Sequence, residues 1–325
     1  MPGYAVIKFS AALLILLPSL TMAQTYPKYP TRPIRLIVAF PPGGGTDIVA
    51  RIISVKLTEE FKQQVIVDNR AGADGIIGAD LAAKANPDGH VIFIGTAGNL
   101  AINPTLYPKM PFNMATDFAP ISQIVSVDML MTVHPGVPVK TPHDLIALAK
   151  AKSGVLNYAS TGIGGIPHLA GELFNHMADV KMNHIPYKGG GPALVELIAG
   201  HVQAFVQSVV QATPPIRDGK VRALAVLSPK RAAILPDVPV MADTLPGFDA
   251  TNWYGLVVPA KTPAAIQQRI YSAFTKVIRM PDVEGKIVGQ GAAPVTSNPA
   301  EFAAFLQRET AKWASVIRTA NVRAE

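Results

Sequence analysis

The chain has 325 residues, 29 Lys and Arg against 22 Asp and Glu, a formal net charge of +7, and no cysteine. Without cysteine there is no disulfide framework, no thiol chemistry and no side chain for lipid attachment. The basic residues are dispersed and not interleaved with aromatics, so nucleic acid is not an expected partner; a mild positive excess suits anionic solutes.

The N-terminus reads as an export signal. Lys8 precedes an apolar core from Phe9 to Leu17, Pro18 closes it, and Thr21-Met22-Ala23 offers small residues to a signal peptidase. The core is too short for a comfortable membrane span. Cleavage after Ala23 and release into the periplasm of a two-membrane bacterium are expected. Removing 23 of the 325 residues leaves 302, enough for two domains.

Ile34 to Phe40 is an apolar strand broken only by Arg35. Phe40-Pro41-Pro42-Gly43-Gly44-Gly45-Thr46-Asp47 follows, then a helical pattern with Ile48, Ile52 and Val55 on one side and Val49, Ile53 and Leu57 beside them. Glycines permit a tight turn and keep side chains away from a ligand. Thr46 is placed to cap the helix, whose first N–H groups lack internal partners. The loop is either a nest of backbone donors for an anion or a tight turn that binds nothing. It lacks the Lys-Ser/Thr ending of a P-loop, and its glycines are not spaced GxGxxG, although Asp68 lies about 20 residues on.

Val65-Ile66-Val67 is the next strand, ended by Asp68-Asn69-Arg70. Arg70 is read as a structural hydrogen-bonding group in preference to a ligand contact. Ala71-Gly72-Ala73-Asp74-Gly75 leads into a helix through Ile76, Ile77 and Leu81. After the turn Asn86-Pro87-Asp88-Gly89, Val91 to Ile94 forms a strand ending in Gly95-Thr96-Ala97-Gly98-Asn99. Thr96 and Asn99 are ligand contacts at a strand's carboxyl end or members of a capped turn. Asn103 to Phe118 is proline-rich surface chain, and Ile121 to Val133 is a crossing strand or a pair of short strands. Thr141-Pro142-His143-Asp144 starts a helix.

The opening device then recurs. Val155 to Ala159 is strand-like, Ser160-Thr161-Gly162-Ile163-Gly164-Gly165 is a second small-residue loop, and Pro167-His168-Leu169 opens a helix. Two opposed loops would hold the two ends of one small molecule. Ser160 with His168 also allows a periplasmic hydrolase, but a third orienting group is missing. His168, His176 and His184 recur every eight residues, a weak metal signal without HExxH, so neither metal nor cofactor is expected.

These segments, with Asp68-Asn69-Arg70, Asn157-Tyr158-Ala159-Ser160, His168-Leu169-Ala170-Gly171-Glu172, His184-Ile185-Pro186-Tyr187-Lys188-Gly189, Leu235-Pro236-Asp237-Val238-Pro239 and Trp253-Tyr254-Gly255-Leu256, resemble the Bug, or TctC-type, receptors. Those are periplasmic solute-binding proteins of tripartite tricarboxylate transport systems. The resemblance runs from about Tyr26 to the end of the chain. It implies an α/β, two-lobed periplasmic-binding-protein fold (Venus-flytrap, type II) with two interlobe crossings. It also implies a small organic anion as ligand, integral-membrane permease subunits as partners and, for some receptors of this class, a sensor protein. In the family both loops approach the ligand from opposite lobes, often through water at the first.

The second loop departs from the family's Asn-Gly-Thr/Ser-Ser pattern at Ile163-Gly164-Gly165-Ile166-Pro167, which favours an aromatic or aliphatic acid unless both isoleucines point into the core. Tyr187 stands beside a third glycine turn that the family places near the cleft. Gln207 stands where relatives commonly carry Asp, which favours a ligand without an ammonium. Trp253 and Tyr254 form an aromatic wall or pack in the core. Helices are expected after Thr262-Pro263 and Asn298-Pro299, the last one docking on the first lobe through Phe302, Leu306, Trp313 and Ile317.

The expected organisation is a signal peptide at 1–23, a first lobe from 24–127 and 251–325, and a second lobe at 128–250. The expected ligand contacts are Pro42, Gly43, Gly44, Gly45 and Thr46; Thr96 and Asn99; Ser160, Thr161, Gly162, Gly165 and His168; and Tyr187, Gln207 and Trp253. The chain is expected to be a monomeric, non-catalytic receptor for an aromatic or aliphatic mono- or dicarboxylate.

Overall fold

The computed structural model describes residues 1, 3 and 29–324. The apolar core of the expected export signal and its cleavage site lie outside the described residues. In chain order the strands are β1 (Ile34–Val38), β2 (Val65–Asn69), β3 (Val91–Thr96), β4 (Phe118–Val127), β5 (Met129–Val133), β6 (Asn157–Ser160), β7 (Asn183–Pro186), β8 (Ala204–Ser208), β9 (Arg222–Val226), β10 (Asn252–Pro259) and β11 (Ala292–Pro294).

They form two sheets with the same wiring. The first runs β11-β4-β10-β3-β1-β2 and the second β7-β6-β8-β5-β9. In the first, β1 lies parallel between β2 and β3, and β10 runs antiparallel between β3 and β4. In the second, β6 lies parallel between β7 and β8, and β5 runs antiparallel between β8 and β9. β5 and β10 each directly follow a change of sheet, and β11 adds an antiparallel edge strand beside β4 in the first sheet alone. The chain leaves the first sheet at Asp128, between β4 and β5, and returns between Val226 and Asn252. The apolar stretch 121–133 is therefore a pair of strands in different sheets.

Both faces of the central strands are covered, as continuous apolar runs require. Ile34, Leu36 and Val38 of β1 pack with Val49, Ile53 and Leu57 of the helix Gly45–Phe61 and with Ile270 and Phe274 of the helix Ala264–Ile278. Ile37, the intervening residue, joins the opposite core with Phe93. Alternation along the strand makes this division.

The C-terminal helix Pro299–Thr319 is started by a capping box. Asn298 Oδ1 accepts from Glu301 N–H, and Asn298 N–H donates to Glu301 Oε2, both at 2.9 Å. Phe302, Trp313 and Ile317 are buried, and Leu306 packs beside them. The helix docks on β4 of the first sheet, as its stripe predicts, and also touches the second-lobe helix Ile166–Ala178. Trp253 and Trp313 both donate their indole N–H to Glu309 Oε2, at 2.9 and 3.1 Å. Two charge-assisted donors satisfy a carboxylate that burial would otherwise penalise.

Phe302 has no exposed surface and meets the Trp253 ring edge-on. Phe302→Ala is expected to lower unfolding stability by about 3–5 kcal/mol through lost burial and a cavity. Urea unfolding measures it. A loss below about 1 kcal/mol would show that the helix start is not part of the cooperative core.

Candidate functional site

A cavity of about 630 Å³ is walled by residues from both sheets, a volume suited to a small molecule. Four helices begin at its wall: Gly45–Phe61, Ile166–Ala178, Gly190–Ile198 and Val209–Arg217. The first N–H groups of a helix have no partner within it, and the aligned peptide dipoles make that end positive. Among the described residues no Lys, Arg or His lines the cavity. The positive ends it presents are those of the four helices.

The first loop is held by Asp47. Asp47 Oδ2 accepts from Gly43 N–H and Arg51 Nε, both at 2.9 Å, and Oδ1 accepts from Asn69 Nδ2 at 3.0 Å. Asn69 Nδ2 also reaches the Phe40 carbonyl, at 3.0 Å. Burial alone would raise the Asp47 carboxyl, but the donors from Arg51, Gly43 and Asn69 outweigh it and hold the group below its ordinary value. Gly43 takes a φ of 85°, a left-handed conformation open to glycine. Thr46 does not cap the helix. Gly44 occupies the cap position without a side-chain bond, and Thr46 sits inside the first turn, buried against the Tyr254 hydroxyl. Gly43 N–H is thus consumed internally, while the N–H groups of Gly44, Gly45 and Thr46 have no partner among the described residues.

Of the expected contacts, Pro42, Gly43, Gly44, Gly45, Thr46, Thr96, Thr161, Gly165 and Gln207 line this cavity. Asn99, Ser160, Gly162, His168, Tyr187 and Trp253 do not, and each has a structural reason. Asn99 is buried, accepting from Thr96 N–H at 2.7 Å and donating to the Asp74 carbonyl at 3.2 Å. The Trp253 ring turns away to Glu309 and Phe302. Tyr187 pairs its N–H with the Ser160 carbonyl at 3.1 Å, and its ring packs near Ala193 and Phe205.

Ser160 has no exposed surface. Its hydroxyl donates to the Gly162 carbonyl at 2.7 Å, so the 2.6 Å contact with His184 Nε2 is one in which the imidazole donates. The partner of Ser160 is thus His184, not His168. His168 stacks on His184 with ring centroids 3.7 Å apart and receives Gly164 N–H on Nδ1. A serine without an open face, already donating its proton to a carbonyl, is placed to brace the second loop and not to attack a substrate. Ile166 lines the cavity and packs in the core, whereas Ile163 lies outside the lining.

Several lining residues lie outside the expected contacts. Tyr254, offered with Trp253 as an aromatic wall, is one, and the alternation between neighbours on a strand separates it from Trp253. Ser208 and Gln211 are others, on a helix that contains Pro214 and Pro215; Ser208 caps that helix by accepting from Gln211 N–H. Gly190 and Gly191 come from the third glycine turn, where a Cβ on Gly190 would overlap the Gln211 amide. Asp74, Asn252 and Gln290 complete the polar set.

Burial pushes His168 down from 6.5 to about 4, and burial with His168 alongside pushes His184 down to about 3. Below pH 6.5 the unfolded chain takes up protons that the folded pair refuses. Stability is therefore expected to fall as pH drops from 6.5 towards 4. The double variant His168→Gln, His184→Gln is expected to flatten that limb of a stability-versus-pH curve measured by denaturant unfolding. An unchanged slope would assign the acid sensitivity elsewhere.

Comparison with known proteins places the fold and the family. The family model described as tripartite tricarboxylate transporter family receptor matches residues 49–322. BugT of Bordetella pertussis (strain Tohama I) is 36% identical over 292 residues, covering 89% of this chain and 90% of its own. Among solved structures, Rpa4515 of R. palustris with adipate is 33% identical with a TM-score of 0.83, covering 91% of this chain and 99% of its own. MatC of Rhodopseudomonas palustris with bound malate is 30% identical with a TM-score of 0.78, covering 89% and 100%. The two-lobed α/β architecture is that of the periplasmic binding proteins, and the chain belongs to the receptor family of the tripartite tricarboxylate transporters.

Proposed function

We propose that the chain captures a small organic carboxylate between its lobes and presents it to the integral-membrane permease subunits of a tripartite transporter. The observation that carries this reading is the convergence of four helix starts on a cavity that no basic side chain among the described residues lines. Backbone donors and dipoles recognise a compact anion without a competing cation, and partial desolvation strengthens each bond. Gly44, Gly45 and Thr46 offer such donors from one lobe. The second lobe contributes Thr161 and the starts at Gly165 and Gly190. Val49, Val127, Met129, Ile166 and Val210 supply apolar wall for an aliphatic or aromatic body. The adipate and malate carried by two structural relatives support a carboxylate.

On this reading residues 24–127 and 251–325 form one lobe and 128–250 the other, hinged at the two crossings. A ligand closes the lobes only by binding the closed state better. The receptor is exported, cleaved after Ala23, acts as a monomer and performs no turnover. N-terminal sequencing of the periplasmic protein is expected to begin at Gln24; any other start would overturn the cleavage site.

Gly44 has a φ of −77°, and a Cβ there would meet only the Pro41 carbonyl, at 3.6 Å. Gly44→Leu is therefore expected to fold normally while its side chain obstructs the donors. Affinity for the carboxylate identified by mass spectrometry of gently purified protein should fall at least about tenfold, or 1.4 kcal/mol, by calorimetry. Affinity within about twofold of the parent would remove the first loop from the site.

A further inference from the structure

The cavity offers many donors, and two acceptors in its wall are left without one. The first is Asp74. Its backbone is left-handed, with φ 49° and ψ 38°, and its carbonyl is fixed by Asn99 Nδ2 at 3.2 Å and Asn103 Nδ2 at 3.0 Å. A Cβ on the adjacent Gly75 would overlap the Asn99 amide, so this turn is locked against the wall. The carboxylate lines the cavity beside Thr96 and Gly98, and its Oδ2 is enclosed yet has no hydrogen-bond partner among the described residues. Gly98 leaves room over it; a Cβ there would stand 3.6 Å from Oδ2. No cation lies near enough to oppose the effect of burial, which lifts the carboxyl to about 7.

The second acceptor is Gln207, from the opposite lobe. Thr132 Oγ1 donates its only proton to the Phe205 carbonyl at 2.9 Å, so it must accept from Gln207 Nε2, 2.8 Å away. That fixes the amide with Oε1 on the other side, where it is buried and unpartnered in a residue that lines the cavity. Buried acceptors without donors are rare and costly, and two in one ligand cavity favour a ligand that brings a donor.

We propose that Asp74 is the subsite for a cationic nitrogen, so that the ligand is an amino-substituted carboxylate whose ammonium meets Asp74 and the Gln207 carbonyl while its carboxylate meets the helix starts. This rests on the carboxylate-receptor reading and narrows it. An ammonium supplies donors and neutralises the buried charge, whereas a hydroxyl supplies a donor only. It reverses the ligand expected from Gln207 alone: an acid is absent at 207 but present at 74, on the other lobe.

The test is calorimetric titration of the mature protein at pH 7.5 with succinate, glutarate, adipate, benzoate and phenylacetate, each beside its hydroxyl and amino derivatives. Among carboxylates that bind, the amino member should be at least about tenfold tighter than its unsubstituted parent, the scale of one charge-assisted bond. Asp74→Asn keeps a residue that tolerates the left-handed turn but removes the charge, and Asp74→Gly keeps the turn alone. Both should reduce the amino preference to within about threefold while thermal melting stays close to the parent. Equal or tighter binding of the unsubstituted or hydroxyl members to the parent protein overturns the proposal and leaves the carboxylate receptor standing. So does an amino preference that survives in both folded variants. Failure of every acid to bind overturns both readings.

Discussion

The site depends on one buried carboxylate, that of Asp47. Backbone can bind an anion only if its donors are left unpaired, and a glycine loop with unpaired donors has no reason to hold one shape. Asp47 supplies the reason. By taking Gly43 N–H, Asn69 and Arg51 together, it ties the loop to the first helix turn and to the end of β2. One loop donor is given up to fix the next three. Asp68-Asn69-Arg70 therefore works as part of the loop's frame: Arg35 and Arg70 both pair with Asp68, and Asn69 faces Asp47.

The second lobe solves the same problem with neutral groups. Its loop is braced by the Ser160 hydroxyl, two stacked imidazoles and the Gly162 carbonyl. Both devices lie behind the loops, facing the core. Neither presents a formal charge to the cavity, so the helix dipoles are not offset by their own supports. The one carboxylate among the described residues that does line the cavity, Asp74, is set apart on the turn before the helix Ile76–Ala83.

Much of this was legible in the sequence because local chemistry wrote it. The strand–glycine–helix units at 34–61 and 157–178 and the capped starts at Thr141 and Asn298 follow from short-range rules of turn, cap and apolar run, whereas the apolar stretch 121–133 reads either as one crossing strand or as two short ones. What was not legible depends on contacts between distant segments. Trp253 and Tyr254 are neighbours, and only the sheet's position between cavity and C-terminal helix decides which faces the ligand. Ser160 meets His184 because β6 and β7 lie side by side, pairing Tyr158 with His184. The helix Val209–Arg217 is masked by Pro214 and Pro215, which remove two amide donors, yet burial of Val209, Ala212 and Pro215 holds it. Asp74 sits in a glycine-rich turn where nothing local marks its carboxylate as unpartnered.

The shared strand order hides an asymmetry in time. Every strand of the second sheet comes from one unbroken stretch, 129–226, so that sheet is complete within itself. The first sheet has β10 between β3 and β4, and β10 lies more than a hundred residues after β4 in the chain. Until residue 259 is available, β3 and β4 have no strand to join them, and the apolar faces of four strands remain without their centre. A chain threaded across a membrane from its N-terminus therefore delivers the self-contained lobe before it can close the other. The sheet beside the first glycine loop joins strands that lie further apart in the chain, the kind of pairing that closes at the greater entropic cost.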